Sequence, residues 1–301
     1  MLKFKILFIL LFITITAKSQ ETIKKTEYAV RDFCVSKDTI YYIEHRDIHV
    51  ENTDTKVESS FFIGGYGLEM FNLNSNEIIT TSNELVQNVS SFRFYQKNAN
   101  EVKEVYYYKK GRTIDFLKIP DKNIFAFSST DKKITFINFD NRPIFKKEVE
   151  INLNSYSRKL IFKNNNLYFI TDLGDIYKYD LSNNKKELLY KANEILTDFY
   201  VDEQTIIYTT ISGKISKINL KNNKLQTLNI NRNFIVNVLY SNNKLICGSW
   251  KGDIFVIDIN KFKITKELKY HNSTVLKILN YKDNVFYSSS IDKTIKKWYL
   301  N

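Results

Sequence analysis

From residue 20 onward, apolar and polar residues alternate in runs of five to eight, and the runs are broken by Asn, Asp, Gly and Ser. A period of two sends successive side chains to opposite faces of an extended chain, so each run predicts a β-strand with a buried face. No segment sustains the 3.6-residue period of an amphipathic helix. One unit recurs: a β-rich run, a turn of two or three residues, then a second alternating run. It closes the chain as VFYSSS-IDK-TIKKWYL (285–300), after LICGSW-KG-DIFVIDI (245–259), IIYTTI-SG-KISKINL (206–220) and LYFITD-LG-DIYKYDL (167–181). Further upstream it reads IFAFSS-TDK-KITFINF (124–139), IITTS-NE-LVQNV (78–89) and IYYIE-HR-DIHVEN (40–52). The turns fall near residues 46, 83, 132, 174, 213, 252 and 293. The one long interval, from 83 to 132, is read as an insertion over 97–109.

Seven such units, about 40 residues apart and each with room for four short strands, predict an all-β, seven-bladed β-propeller of four-stranded antiparallel blades. A single unit leaves a sheet face exposed, and stacking around an axis buries every face against the next blade. Residues 20–301 are read as one such domain.

The last repeat resembles a WD40 repeat in Tyr270-His271, Ser288, Asp292-Lys293-Thr294-Ile295 and Trp298-Tyr299. The resemblance implies a structural hydrogen-bonded tetrad at His271, Ser288, Asp292 and Trp298. Earlier repeats depart from the pattern, with Ile257, Ile218, Tyr179 or Ile137 at the Trp position. The resemblance also implies how the ring closes: an N-terminal strand completes the last blade, so residues 21–28 are expected beside Thr294–Leu300. That leaves no open sheet edge.

The first residues, MLKFKILFILLFITITAKSQ, combine a basic start, an apolar run from Ile6 to Thr16 and small residues at Ala17 and Ser19. This is the pattern of a signal peptide over 1–19, too short to span a bilayer, so the protein is expected to be exported to the periplasm or beyond. No later segment is apolar enough to span a membrane. Removing Lys3, Lys5 and Lys18 lowers the net charge from +12 to +9. Scattered lysines make a solvated surface, and export argues against nucleic acid as the partner.

In a four-stranded blade the turns alternate between the two faces of the disk. One face takes Asn-rich hairpins such as Asn164-Asn165-Asn166 and Ser241-Asn242-Asn243, where Asn tolerates positive φ. The other carries Arg46, Arg112, Arg158 and Arg232, four of the seven arginines, together with His45, Asp172, Trp250, Lys251 and His271. Arginine forks suit carboxylate and phosphate, and an exposed Trp is a common contact residue, so this face is expected to bind another protein or an anionic ligand.

The seven innermost strands share one polar position: Asp32, Glu69, Asp115, Lys159, Asp198, Asn237 and Lys277. Charge there is expected to be internally paired and hydrated. The alternative is a cation site at Asp32, Glu69 and Asp115, or a hydrolase or lyase working from the channel acids. Nucleophile-elbow, zinc, P-loop and dinucleotide motifs are absent from the sequence, and no cofactor is implied. Cys34 and Cys247 fall in different, non-adjacent repeats and read as buried thiols.

Overall fold

In a computed structural model, which describes residues 19–97, 99, 101–230 and 233–300, the alternating runs form 28 strands in seven four-stranded antiparallel sheets. The expected signal segment lies almost wholly outside the described residues, as does Arg232. Blade 1 holds β2 (Val30–Ser36), β3 (Thr39–Glu44), β4 (Asp47–Asn52) and β5 (Glu58–Phe62), from the axis outward. Blade 2 holds β6 (Tyr66–Asn72), β7 (Glu77–Glu84), β8 (Val89–Gln96) and β9 (Glu101–Tyr108). Blade 3 holds β10 (Thr113–Lys118), β11 (Ile124–Ser129), β12 (Lys133–Asn138) and β13 (Lys146–Asn152). Blade 4 holds β14 (Ser157–Lys163), β15 (Asn166–Thr171), β16 (Asp175–Asp180) and β17 (Lys185–Lys191). Blade 5 holds β18 (Leu196–Val201), β19 (Thr205–Thr210), β20 (Lys214–Asn219) and β21 (Leu225–Asn229). Blade 6 holds β22 (Ile235–Ser241), β23 (Lys244–Ser249), β24 (Asp253–Asp258) and β25 (Lys263–Lys269). Blade 7 holds β26 (Val275–Lys282), β27 (Val285–Ser290) and β28 (Thr294–Tyr299), and is completed on its outer side by β1 (Gln20–Lys25).

The closing pair is antiparallel, with Gln20 opposite Trp298, Thr22 opposite Lys296 and Lys25 opposite Thr294. The closing strand is therefore shorter than residues 21–28 and ends at Lys25, where the chain turns inward toward β2. The inner strands neighbour one another around the axis, and β26 returns against β2.

The supposed insertion over 97–109 is a correction. Those residues contain β9, the regular outer strand of blade 2. In that blade β7, β8 and β9 are eight residues each, and the turn between β7 and β8 lies at 85–88 rather than at Asn83. Asn83 is buried and pairs with Ser90 inside the ladder, so the strand runs past the point where its sequence turns polar.

The core is divided into wedges. Each hydrophobic cluster joins two adjacent blades, as where Phe92 and Phe94 of blade 2 pack on Phe116, Phe125 and Phe127 of blade 3. The same arrangement repeats around the ring. At the seam between blades 7 and 1 the cluster is small, limited to Val30, Phe33, Ile40, Tyr42, Tyr287 and Ile295. The B–C turn of every blade (second to third strand) has a residue in the left-handed region: His45, Asn88, Lys132, Gly174, Gly213, Gly252 and Lys293. Gly252 needs its missing side chain twice over, because its φ is +93° and a Cβ would sit 2.4 Å from the His271 carbonyl oxygen.

Candidate functional site

The shared polar position on the inner strands is built by a repeated local distortion. In six blades the pairing of the first two strands slips just before it, as between Gly67 and Glu69, Thr113 and Asp115, and Ser157 and Lys159, and in blade 1 the slip runs from Val30 to Phe33, across Asp32. A bulge adds one unpaired residue and re-aims its neighbours. The aim here is sideways, into the next blade. Asp32 Oδ2 accepts the Met70 N–H at 2.9 Å, and Glu69 Oε2 accepts the Phe116 N–H at 2.9 Å. Asp115 Oδ2 accepts the Leu160 N–H and Asp198 Oδ2 the Val238 N–H, both at 2.7 Å. Each donor directly follows the next blade's polar position.

Lysine cannot accept, and the pattern changes where it occurs. After Lys159 and Lys277, the Phe199 and Phe33 N–H groups are taken instead by Asp198 Oδ1 and Asp32 Oδ1 of their own strands, at 2.7 and 2.8 Å. Lys277 reaches forward to Asp32 at 3.2 Å, and Lys159 reaches back to Asp115 at 2.8 Å and Glu69 at 3.8 Å. Asn237 donates to the Val275 carbonyl at 2.7 Å. The ring is thus a set of inter-blade clamps with paired charge.

Its electrostatics follow from burial. Desolvation, with the nearby Asp115 carboxylate, pushes Glu69 up to about 8, against the pull of Lys159 and Lys277. Burial pushes Asp198 up to about 6, opposed by Lys159 and by its two backbone N–H donors. Lys159 is disfavoured as a cation by burial, yet Asp115 and Glu69 hold it well above the usual lysine range. Asp32, Glu69 and Asp115, the alternative cation site, already have partners in this geometry. Their oxygens point at successive blades' N–H groups and at lysines, and no group of three His, Cys, Asp or Glu among the described residues is disposed to hold a metal ion.

B–C turns and the links between blades share one face, joined by backbone hydrogen bonds. Trp250 N–H donates to the Phe234 carbonyl at 3.0 Å, Asp172 N–H to Tyr156 at 3.0 Å, and Thr130 N–H to Arg112 at 2.9 Å. The residues expected to bind there differ in what they have free. Arg46 is engaged: its Nε donates to the Gly64 carbonyl at 2.7 Å, it lies 3.8 Å from Glu84, and it sits over Phe62. Arg112 is half-buried, with its Nε enclosed and unpartnered. Asp172 Oδ1 is likewise buried without a partner. His45 is exposed and stacks on Tyr28 at 5.4 Å. Arg158 is exposed. Trp250 is 53% exposed and stacks on Phe234 at 5.2 Å. These residues come from blades 1, 3, 4 and 6, so the structure spreads them around the face rather than gathering them in one pocket.

Two features of this face escape a reading of the turns alone. The bulged residue before each ring position is Arg31, Leu68, Ile114, Arg158, Thr197, Val236 or Leu276. Arg31 therefore matches Arg158 three blades away. Both are exposed, and neither makes an ion pair among the described residues. The first turn residue is an exposed hydrophobe in three consecutive blades: Ile211, Trp250 and Ile291. The signal was present in the aligned repeats, at a position outside the polar residues that drew notice.

In blade 7, Trp298 Nε1 donates to Ser288 Oγ at 2.7 Å, Ser288 Oγ lies 2.7 Å from His271 Nε2, and His271 Nδ1 lies 2.8 Å from Asp292 Oδ2. Burial lowers the His271 pKa, with Asp292 opposing. Neutral His271 with its proton on Nδ1 satisfies the whole chain: it donates to Asp292 and accepts from Ser288. Burial alone would raise Asp292, but His271, Thr294 and the Asn272 N–H hold its carboxyl far below the usual range. Cys34 and Cys247 are free and buried, and burial pushes the Cys34 thiol up to about 12.

No protein-family model matches the chain, and no curated protein matches it. Among solved structures it is similar to the crystal structure of the computationally designed Ika8 protein, with 14% identity and a TM-score of 0.69, covering 92% of this chain and 98% of that one. At that identity the likeness is one of fold.

Proposed function

We propose that this β-propeller is an exported, non-enzymatic scaffold of WD40-like type. It binds a protein partner carrying carboxylates and apolar side chains, on the face formed by the B–C turns and inter-blade links. The export reading rests on the basic and apolar leader. The WD40-like reading rests on the His271–Ser288–Asp292–Trp298 chain of hydrogen bonds in blade 7. The binding reading is carried by one observation: Arg31 and Arg158, exposed and without an ion pair among the described residues, stand on equivalent bulges of the face whose B–C turns in blades 5, 6 and 7 expose Ile211, Trp250 and Ile291. A guanidinium fork takes a carboxylate bidentately, and the apolar turn residues supply area that loses water on contact. The channel acids are committed to backbone N–H groups, which supports a scaffold over chemistry at the ring.

The test is capture of partners from the envelope of the source cell. Reversing Arg31 and Arg158 to Glu is expected to abolish capture. Reversing Lys185 and Lys221, exposed on the Asn-rich face, is expected to leave it within about twofold, because exposed charges are screened over about 8 Å at physiological salt. Equal losses from both pairs, at equal thermal midpoints, would mean that net charge alone governs capture.

A further inference from the structure

At the seam a cavity of about 360 Å³ opens between the closing strand and blade 1. Two of the chain's three histidines line it, each stacked on a tyrosine: Tyr28 on His45 at 5.4 Å and Tyr42 on His49 at 5.0 Å. Its acids are Glu27, Glu44, Asp47 and Glu58, and its bases Lys24 and Lys25, so the lining is net acidic in a chain that is net basic. Lys24 and Glu58 are already spent on structure. The Lys24 ammonium lies 2.8 Å from Glu58 and 2.7 Å from Glu51, while Tyr42 donates to Glu58 at 2.7 Å.

Glu44 is different. Its side chain is 7% exposed, and one oxygen accepts the Tyr28 N–H. The other, Oε2, has no hydrogen-bond donor among the described residues; the nearest cationic candidate, His49 Nε2, stands off at 3.7 Å. A carboxylate whose side chain is mostly out of water, but which lines the cavity with one oxygen free of protein donors, is a ready acceptor for a cation that enters there. Asp47, on the same lining, has no side-chain partner among the described residues either. Buried carboxylate beside stacked rings is the chemistry that receives an alkylammonium or guanidinium group, whose charge pairs with the acids and lies against π-faces. The structure itself supplies a precedent, since Lys24 Nζ sits 5.7 Å from the Tyr42 ring centre while paired to acids. The volume suits a group of a few carbons.

We propose that this seam cavity binds a small organic cation, an ammonium or guanidinium on a short alkyl stem, with its charge on Glu44 Oε2 and Asp47 and its stem on the exposed Tyr28–His45 pair. The cavity lies on the same face, at the closure between blades 7 and 1, but its acidic lining calls for a cation and does not depend on the carboxylate reading of Arg31 and Arg158. The probes are 1,4-diaminobutane and agmatine as free amines, a terminally blocked Gly-Lys-Gly peptide as a side-chain source, and 1,4-butanediol as a neutral isostere. The readout is the NMR shift of the three histidine rings, with His271 in blade 7 as the internal reference.

A saturable shift of His45 and His49 with an amine, and none with the diol, is the expected result. Tighter saturation by the peptide assigns the cation to a partner's side chain, and tighter saturation by a free amine assigns it to a small molecule. Glu44→Gln keeps the acceptor for the Tyr28 N–H and is expected to weaken amine binding about tenfold, the effect of losing one charge-assisted hydrogen bond. Asp47→Asn serves as the second variant should Glu44→Gln not fold, with the same expected direction. Lys185→Glu, on the opposite face, is expected to leave the shifts unchanged. Shifts produced equally by the diol, binding indifferent to both acid variants, or no saturable shift with any amine would overturn the proposal.

Discussion

A chain beginning at residue 29 unfolds, or melts many degrees below one beginning at residue 20. The closing strand contributes the antiparallel ladder from Gln20 opposite Trp298 to Lys25 opposite Thr294. At about 1 kcal/mol net for each of several backbone hydrogen bonds, the loss approaches the whole stability of an ordinary domain. The seam is also where the apolar wedge is smallest, and Ile23 of the closing strand packs against it. Lys24 adds the only link described from this strand to acids of blade 1, Glu51 and Glu58. Removing the strand also bares the outer edge of β28, which invites edge-to-edge association. Thermal melting with light scattering reads both effects. An unchanged midpoint would show that blade 7 is stable with three strands and that the ring needs no closure.

Trp298→Ala is expected to destabilise the protein by about 3–5 kcal/mol, the range for deleting a fully buried large aromatic. Trp298 is wholly buried, lies nearly parallel to Phe286 at 5.7 Å, and neighbours Tyr270 and His271. Its loss leaves a cavity between blades 6 and 7 and takes from Ser288 one of its two partners. Trp298→Phe separates these causes. It keeps most of the packing and loses the indole N–H, so about 1–2 kcal/mol is expected from the hydrogen bond alone. Denaturant unfolding of the three proteins gives both differences. A cost for the alanine variant no greater than for phenylalanine would mean that packing around Trp298 contributes little.

The blade count and the antiparallel sheets were legible because a period of two, repeated about every 40 residues, leaves few other ways to bury seven half-apolar sheets, and closure by an N-terminal strand was implied by the WD40 resemblance of the last repeat. The polar ring was legible for the same reason: Asp32, Glu69, Asp115, Lys159, Asp198, Asn237 and Lys277 interrupt strands that otherwise read as core. What each carboxylate does was not, because its partner is a backbone N–H some 40 residues on, and backbone donors leave no mark on a sequence. Blade 2 misled because Asn83 and Glu84 look like a turn, while the ladder continues through them with Asn83 buried. Arg31 went unnoticed because it belongs to a strand, and the bulge between Val30 and Phe33 takes it out of the ladder. Arg46 drew notice as a loop residue, but Gly64, Glu84 and Phe62 occupy it, contacts that depend on the next blade's approach. The seam cavity joins residues 24–28 to residues 42–58 across the closure, so no local pattern could announce it.

The face as binding surface is tested most directly by amide hydrogen exchange of the protein alone and bound to the captured partner. Protection is expected at the B–C turns of blades 5, 6 and 7, around Ile211, Trp250 and Ile291, and at the strand starts bearing Arg31 and Arg158. Protection confined to the opposite hairpins around Asn164, Asn183, Asn222 and Asn242 would contradict it.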